Sequence, residues 1–336
     1  MASDTKGRSK RLGLNIGGMS ARNCARICQA AEESGNVDFA WTYEILGRDA
    51  FTVLASMGLA TQKIQLATGL VNLYIRTPTV TAMSALSIDE LSNGRMNLGL
   101  GVSFEQALKR RHSIKGERPF QYLKESIEVI RGISLSPEGF SYSGEIFQFS
   151  NFKLGYKPVR SRVPIFVGAH NPKMLEFAGE FADGVLLNAL TKVEVEFFVR
   201  HIRMGAERAG RRLEDIEIAS FFNCCASESA EVRMDELRKR MGWFLVMPHV
   251  LHRMHRTKFS SEARRAEELI ASGEEGRVTE VASDEMIEAM CIADPPERIL
   301  ERVEEFRELG ISQPVLFPTP IKGDTERGYE EILKIL

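Results

Sequence analysis

Three observations predict an α/β protein built as an eight-stranded (βα) TIM barrel with insertions. Short apolar runs alternate with amphipathic helical patterns along nearly the whole chain, as parallel strands joined by crossover helices require. Eight such units can be traced, which suits closure into a barrel. The rival, an open doubly wound sheet, would be favoured by Gly-x-Gly-x-x-Gly after the first strand. The chain has Gly17-Gly18-Met19-Ser20 there, and Gly99-Leu100-Gly101 lacks a third glycine.

The units follow in order. Leu12–Ile16 reads as the first strand, and Ser20 to Glu33 as a helix with Ser20 as N-cap. Val37–Tyr43 is the second strand and Ala50–Thr61 its helix. Lys63–Val71 is the third strand, followed by a helix opening near Pro78. Met96–Leu100 is the fourth strand, with a helix from Pro119 to Arg131. Residues 133–162 break the pattern with aromatic and β-branched pieces around Ser-Gly turns, a hairpin-bearing insertion. Val163–Ala169, Gly184–Asn188 and Ile216–Cys224 are strands five to seven, with helices at Pro172–Phe181 and Val193–Ala209. Residues 228–290 read as a charged, Met-rich helical insertion. Asp294 is expected to cap a helix with Pro295 in its first position. Pro314–Pro318 is the eighth strand, and Glu326–Leu336 the closing helix.

Composition narrows the function classes. The 336 residues read as one barrel domain spanning 1–336, and 43% hydrophobic with 27% charged residues is an ordinary globular balance. Lys and Arg total 44 against 46 Asp and Glu, so no basic excess exists to neutralise a nucleic acid. The cluster Lys109-Arg110-Arg111 reads as a solvated face. Five cysteines without a Cys-x-x-Cys pair, and without a histidine at zinc spacing, predict buried reduced thiols and no metal site. The polar start, Met1 to Arg11, is neither signal nor anchor, and no apolar run reaches membrane-spanning length. The expectation is a cytoplasmic enzyme with a small-molecule substrate.

In a barrel of this kind the chemistry sits at the C-terminal ends of the strands. Polar or small residues fall there at Asn15, Glu44, Gly69, Asn72, Arg76, Gly101, Gly168, His170 and Asn188. Gly168-Ala169-His170-Asn171-Pro172-Lys173 opens straight into a helix, where free N–H groups and the positive end of the dipole suit a phosphate. Glycines 69, 99, 101 and 168 either let a flat ring approach the backbone or make a tight rim. Glu44 is the candidate acid or carboxylate orienter, or alternatively a rim partner of Arg48; Arg76 suits an acidic ligand or a surface ion pair. His112, His201, His249, His252 and His255 lie in charged helical segments and read as filler.

The stretch from Pro164 to Asn188, with Pro164-Ile165-Phe166-Val167-Gly168-Ala169 at its head, resembles the bacterial-luciferase-like superfamily. Thr68 to Pro78, Leu86 to Arg95 and Asp284 to Asp294 are similar to its coenzyme F-420-dependent methylenetetrahydromethanopterin reductases. The resemblance runs from about residue 11 to 335. It implies a deazaflavin, coenzyme F-420, exchanging a hydride with a methylene-tetrahydropterin-like substrate, in a homodimer or homotetramer. It also implies a non-prolyl cis peptide at Gly69–Leu70 behind the ring, and phosphate contacts at Gly168, Ala169 and His170. Asn15 stands where the reductase pattern has a glutamate that supplies a proton, and Ile45 replaces a histidine beside Glu44. Asn positions groups but does not titrate. The implied site therefore has Glu44 and Asn15 as catalytic residues. Gly69, Leu70, Asn72, Arg76, Gly101, Gly168, Ala169, His170 and Asn188 would bind the cofactor. Three alternatives stay open: an FMN-dependent monooxygenase, a flavin-free methylenetetrahydrofolate reductase, and a non-catalytic cofactor-binding homologue.

Overall fold

A computed structural model of the chain describes residues 11–44, 47–103 and 105–336. Its strands are β1 (Gly13–Asn15), β2 (Phe39–Thr42), β3 (Gln65–Thr68), β4 (Val71–Asn72), β5 (Met96–Gly101), β6 (Phe140–Ser143), β7 (Gln148–Phe152), β8 (Ile165–Gly168), β9 (Gly184–Asn188), β10 (Glu217–Cys224) and β11 (Gln313–Pro318). Its helices are α1 (Ala21–Ser34), α2 (Ala50–Ala60), α3 (Pro78–Leu91), α4 (Glu105–His112), α5 (Pro119–Leu135), α6 (Pro172–Phe181) and α7 (Lys192–Arg208). They continue as α8 (Ala230–Leu245), α9 (Pro248–Met254), α10 (Ser260–Ala271), α11 (Asp284–Met290), α12 (Ile299–Glu308) and α13 (Thr325–Leu333). The main sheet runs β3-β2-β1-β11-β10-β9-β8-β5-β4, and β3 also pairs with β5. Eight parallel strands thus close into the expected TIM barrel, with β6 and β7 a separate antiparallel hairpin.

Local chemistry sets the helix starts. The Ser20 hydroxyl accepts from the Asn23 N–H at 3.1 Å, Asp49 from Thr52 at 2.7 Å, and Asn171 from Met174 at 3.0 Å. Thr77 and Asn171 each stand before a proline at the first helical position. Four expectations need correction. Lys63–Val71 is not one strand: it divides into β3 and β4 around the Gly69–Leu70 peptide. The helix from Pro119 runs on to Leu135, so the 133–162 insertion starts later, because its buried face continues through Ile130 and Ile133. A helix, α4, occupies Glu105–His112, which the order of units leaves out although the charged segment at His112 reads as helical. Asp294 does not cap a helix: a short 3-10 turn at Pro296–Arg298 intervenes before α12, and Asp294 lies 3.8 Å from Arg302 instead.

The chain divides into two compact units, 20–186 with 198–218, and 11–19 with 187–197 and 219–336. In the first, Trp41 is fully buried with Phe166 edge-on at 5.2 Å. Arg95 is buried near the N-terminal ends of β3 and β5. Its guanidinium donates to the carbonyls of Gly58, Thr61, Ile64 and Ser92 and to the Thr61 hydroxyl, so five contacts replace water. That arrangement makes the Asn93-Gly94-Arg95 turn a structural clasp. In the second unit, the 228–290 insertion builds its own core from Leu237, Met241, Phe244, Met254, Phe259 and Met286. This core packs on Ala189, Cys225 and Ile321, beyond the C-terminal ends of β9, β10 and β11. All five cysteines are buried and none forms a disulfide among the described residues.

Candidate active site

The richest constellation forms where β3 ends. The Gly69–Leu70 peptide is cis, as expected. Gly69 N–H donates to Thr42 O at 2.6 Å, and Glu44 N–H donates to Leu70 O at 3.2 Å, so β2 and the β3–β4 junction hold one another. Arg76 then grips the Glu44 carboxylate with two donors, Nε to Oε2 at 3.1 Å and Nη2 to Oε1 at 2.8 Å. Arg76 also pairs with Asp49 and lies 5.1 Å over the Phe51 ring. The hydrogen bond to Glu44 is the largest influence holding the guanidinium above its usual value. Burial raises the Asp49 carboxyl, but the Thr52 hydroxyl and N–H and the Arg76 cation leave it below its usual value. Glu44 therefore pairs with Arg76, not Arg48, and Arg76 is committed to two carboxylates rather than to an acidic ligand. Ile45 lies outside the described residues.

Leu70 explains the strand-end glycines. A methyl group on Gly101 would come within 2.8 Å of Leu70 Cδ1, one on Gly168 would collide with the same carbon, and one on Gly99 would collide with the Thr68 carbonyl. The glycines make room for the Leu70 side chain, which the turn at Gly69 directs across them. The tight-rim reading of these glycines is the one the geometry supports. Asn72 pairs with Gly101 across β4 and β5, and its carboxamide oxygen accepts from Tyr74 N–H at 3.0 Å.

At the end of β8 the phosphate expectation needs correction. Ala169 is fully buried and its N–H donates to Leu186 O at 3.3 Å, because the β8–β9 pairing runs one residue further than the strand. Asn171 caps α6, and Pro172 has no N–H to offer. Gly168 and the half-buried His170 remain at the strand end.

The second unit carries three strand-end carboxamides. Asn15 ends β1 and Asn223 stands one residue before the end of β10; both are fully buried, and neither end of either carboxamide has a partner among the described residues. Asn188 ends β9, half-buried, with its side-chain oxygen unpartnered. The insertion reaches this point through Arg253, which donates to Ala189 O at 2.7 Å and Asn188 O at 3.4 Å, with Glu194 at 3.8 Å. Those contacts fix a turn in which Ala189 has φ 49°. Burial pulls the Arg253 cation below its usual value against Glu194. Burial, then the Arg253 charge, push the neighbouring His249 imidazole down to about 3. Sequence reasoning missed Asn223 and Arg253. The first carried one signal, a carboxamide near the end of an otherwise apolar strand; the second carried none.

Among the described residues, no cluster of His, Cys, Asp and Glu has metal-holding geometry, and no helix is long and apolar enough to cross a membrane. A family model described as luciferase-like monooxygenase matches residues 4–313. The chain is 32% identical to a 5,10-methylenetetrahydromethanopterin reductase of Methanolobus tindarius, over 92% of this chain and 94% of the relative. It is 30% identical to the same-named protein of Archaeoglobus fulgidus, over 90% and 91%. The solved structure of a coenzyme F420 dependent tetrahydromethanopterin reductase from Methanopyrus kandleri superposes with a TM-score of 0.82 at 24% identity, covering 97% of this chain and 98% of that one.

Proposed function

Because the chain belongs to the luciferase-like monooxygenase family, whose members similar to it include methylenetetrahydromethanopterin reductases, we propose that it is a coenzyme F-420-dependent oxidoreductase. It exchanges a hydride between the deazaflavin and a methylene-tetrahydropterin-like or related small substrate. The observation that carries this reading is the Glu44–Arg76 pair locked to the cis Gly69–Leu70 turn at the end of β3. Asn188, at the end of β9, keeps a carboxamide oxygen without a partner among the described residues, which supports a role for it at the polar edge of a flat ring. When bound, the deazaflavin supplies the hydride chemistry.

The chain's own residues bind and orient. Gly69, Leu70 and Asn72 would form the backbone bed for the ring, and Gly168 and His170 would meet the anionic tail; Gly101 makes room for Leu70. Ala169 packs this loop rather than donating to it, and Arg76 positions Glu44 rather than touching the tail. Glu44 presents to the substrate the carboxylate that Arg76 fixes, as orienting group and partner in proton transfer; Asn15 orients a group and does not titrate. The five buried free thiols support a reducing, cytoplasmic setting. Apolar side chains exposed on α2 and α3, Leu59 at 71%, Met83 at 47% and Val80 at 45%, support a homodimer or homotetramer through that face.

The test is anaerobic turnover with the reduced coenzyme and a methylene-tetrahydropterin, followed by deazaflavin fluorescence. Turnover is expected, and Glu44→Gln lowers kcat by about 10²–10⁴-fold with little change in coenzyme affinity. Oxygen-dependent turnover with reduced FMN, and none with the deazaflavin, would replace this reading with a monooxygenase.

A further inference from the structure

The two fully buried carboxamides, Asn15 and Asn223, lie at one level of one face. Phe222 packs its ring against Phe306 of α12 at 4.1 Å, so Phe222 faces the helix layer. Alternation then turns Phe221 and Asn223 to the inner face of the sheet. Phe317 meets Phe221 edge-on at 6.0 Å and shares that face. Asn223 registers with Phe317 across β10 and β11, while Leu14 registers with Leu316. Asn15, one residue past Leu14, therefore reaches the level of Phe317 from the other side. Phe317 stands between the two carboxamides, held by Phe221 and by Arg240, whose guanidinium carbon lies 4.5 Å from its ring centre.

From this layout we infer that Asn15 and Asn223 form a paired carboxamide clamp for the carbonyl-and-N–H edge of a fused heterocyclic ring. The inference rests on the proposed function insofar as that reading brings such a ring to the strand ends. Each carboxamide offers a donor and an acceptor, and all four groups lack partners among the described residues. Burial without partners is unfavourable, so the arrangement is explained by a ligand that supplies both kinds of group. The clamp holds no charge of its own, which selects a neutral amide-like edge over a carboxylate or phosphate. Deazaflavins and tetrahydropterins both present such an edge.

The test uses the full-length chain with Asn15→Leu, Asn223→Leu and the double substitution. Affinities for oxidised coenzyme F-420, FMN and a tetrahydropterin are measured by fluorescence and calorimetry, and the Tm without ligand is recorded. The clamp predicts a loss of about tenfold or more in affinity for one ring-bearing ligand per substitution, with an unliganded Tm unchanged or raised. A shift in coenzyme affinity assigns the edge to the coenzyme; a shift confined to the tetrahydropterin assigns it to the substrate. Asn223→Ser, smaller and still polar, gives the same binding loss should leucine prevent folding. Affinities within twofold of wild type for every ligand, or a lower Tm with binding retained, overturn the clamp and make the carboxamides structural. If wild type binds FMN but not the deazaflavin, the proposed function fails, and the clamp stands provided the substitutions weaken FMN. If wild type binds none of the three, both fail.

Discussion

At the scale of residues, the account turns on Glu44 and its partner. A carboxylate held by two donors of one guanidinium is fixed in position, and the side chains of both are largely withdrawn from water. Removing the cation leaves two carboxylates, Glu44 and Asp49, facing each other without compensation. Arg76→Met is therefore expected to cost about 2 kcal/mol of stability, read by chemical denaturation, and to lower kcat more than it raises KM. Arg76→Lys keeps the charge but not the fork, and is expected to restore stability better than activity. Unchanged kcat in both variants would remove Glu44 from the chemistry. Little of this pairing was legible in the chain. Glu44 and Arg76 stand 32 residues apart, and helical spacing pointed instead to Arg48. The end of β10 was equally hidden, because an inward-facing Asn223 is distinguished only once Phe222 is seen against α12.

At the scale of elements, side chains that were individually visible gain their meaning from packing. The glycines of β5 and β8 looked like a bed for a ring, yet they accommodate Leu70. Gly168→Ala is expected to destabilise by about 1–3 kcal/mol through overpacking, and Leu70→Ala in the same chain should recover most of that loss. Additive losses in the double-mutant cycle would show that the two positions do not meet. Helix α9 makes a pH prediction. Its His249 titrates at about 3 in the folded protein against an ordinary 6.5, so the unfolded chain binds more protons between those values. Stability is then complete above 6.5 and is lost as pH falls from 6.5 toward 3. The slope is at most about 1.4 kcal/mol per pH unit, and shallower because the ring is only partly withdrawn from water. Glu32 and Glu125 add to the acid loss at lower pH. Burial raises each, but backbone N–H donors at Glu32, and the Gln121 amide with backbone N–H donors at Glu125, outweigh it and hold both below their usual values. His249→Gln should flatten the upper part of this profile in Tm measurements between pH 4 and 7; an unchanged profile would place the imidazole in water.

For the whole molecule, periodicity carried most of the architecture. Eight apolar runs became eight barrel strands, and the caps at Ser20 and Asn171 lie where side-chain chemistry required. What the pattern could not give was the break at Gly69–Leu70, which the backbone turn dictates, or the use of the Met-rich insertion, whose Met241, Met254 and Met286 are buried in a core of its own. Association belongs to this scale too. Leu59, Val80, Met83 and Leu91 are exposed on two neighbouring helices, an apolar face suited to association. Light scattering is expected to give a dimer or tetramer, and Leu59→Glu with Met83→Glu should dissociate it; a wild-type monomer would contradict the assembly. The central claim is the cofactor. Its most direct test is a fluorescence titration of the purified chain with oxidised coenzyme F-420 and, separately, with FMN. Saturable binding of the deazaflavin, and markedly weaker binding of FMN, is the predicted result. Binding of FMN alone, or of neither, would contradict it.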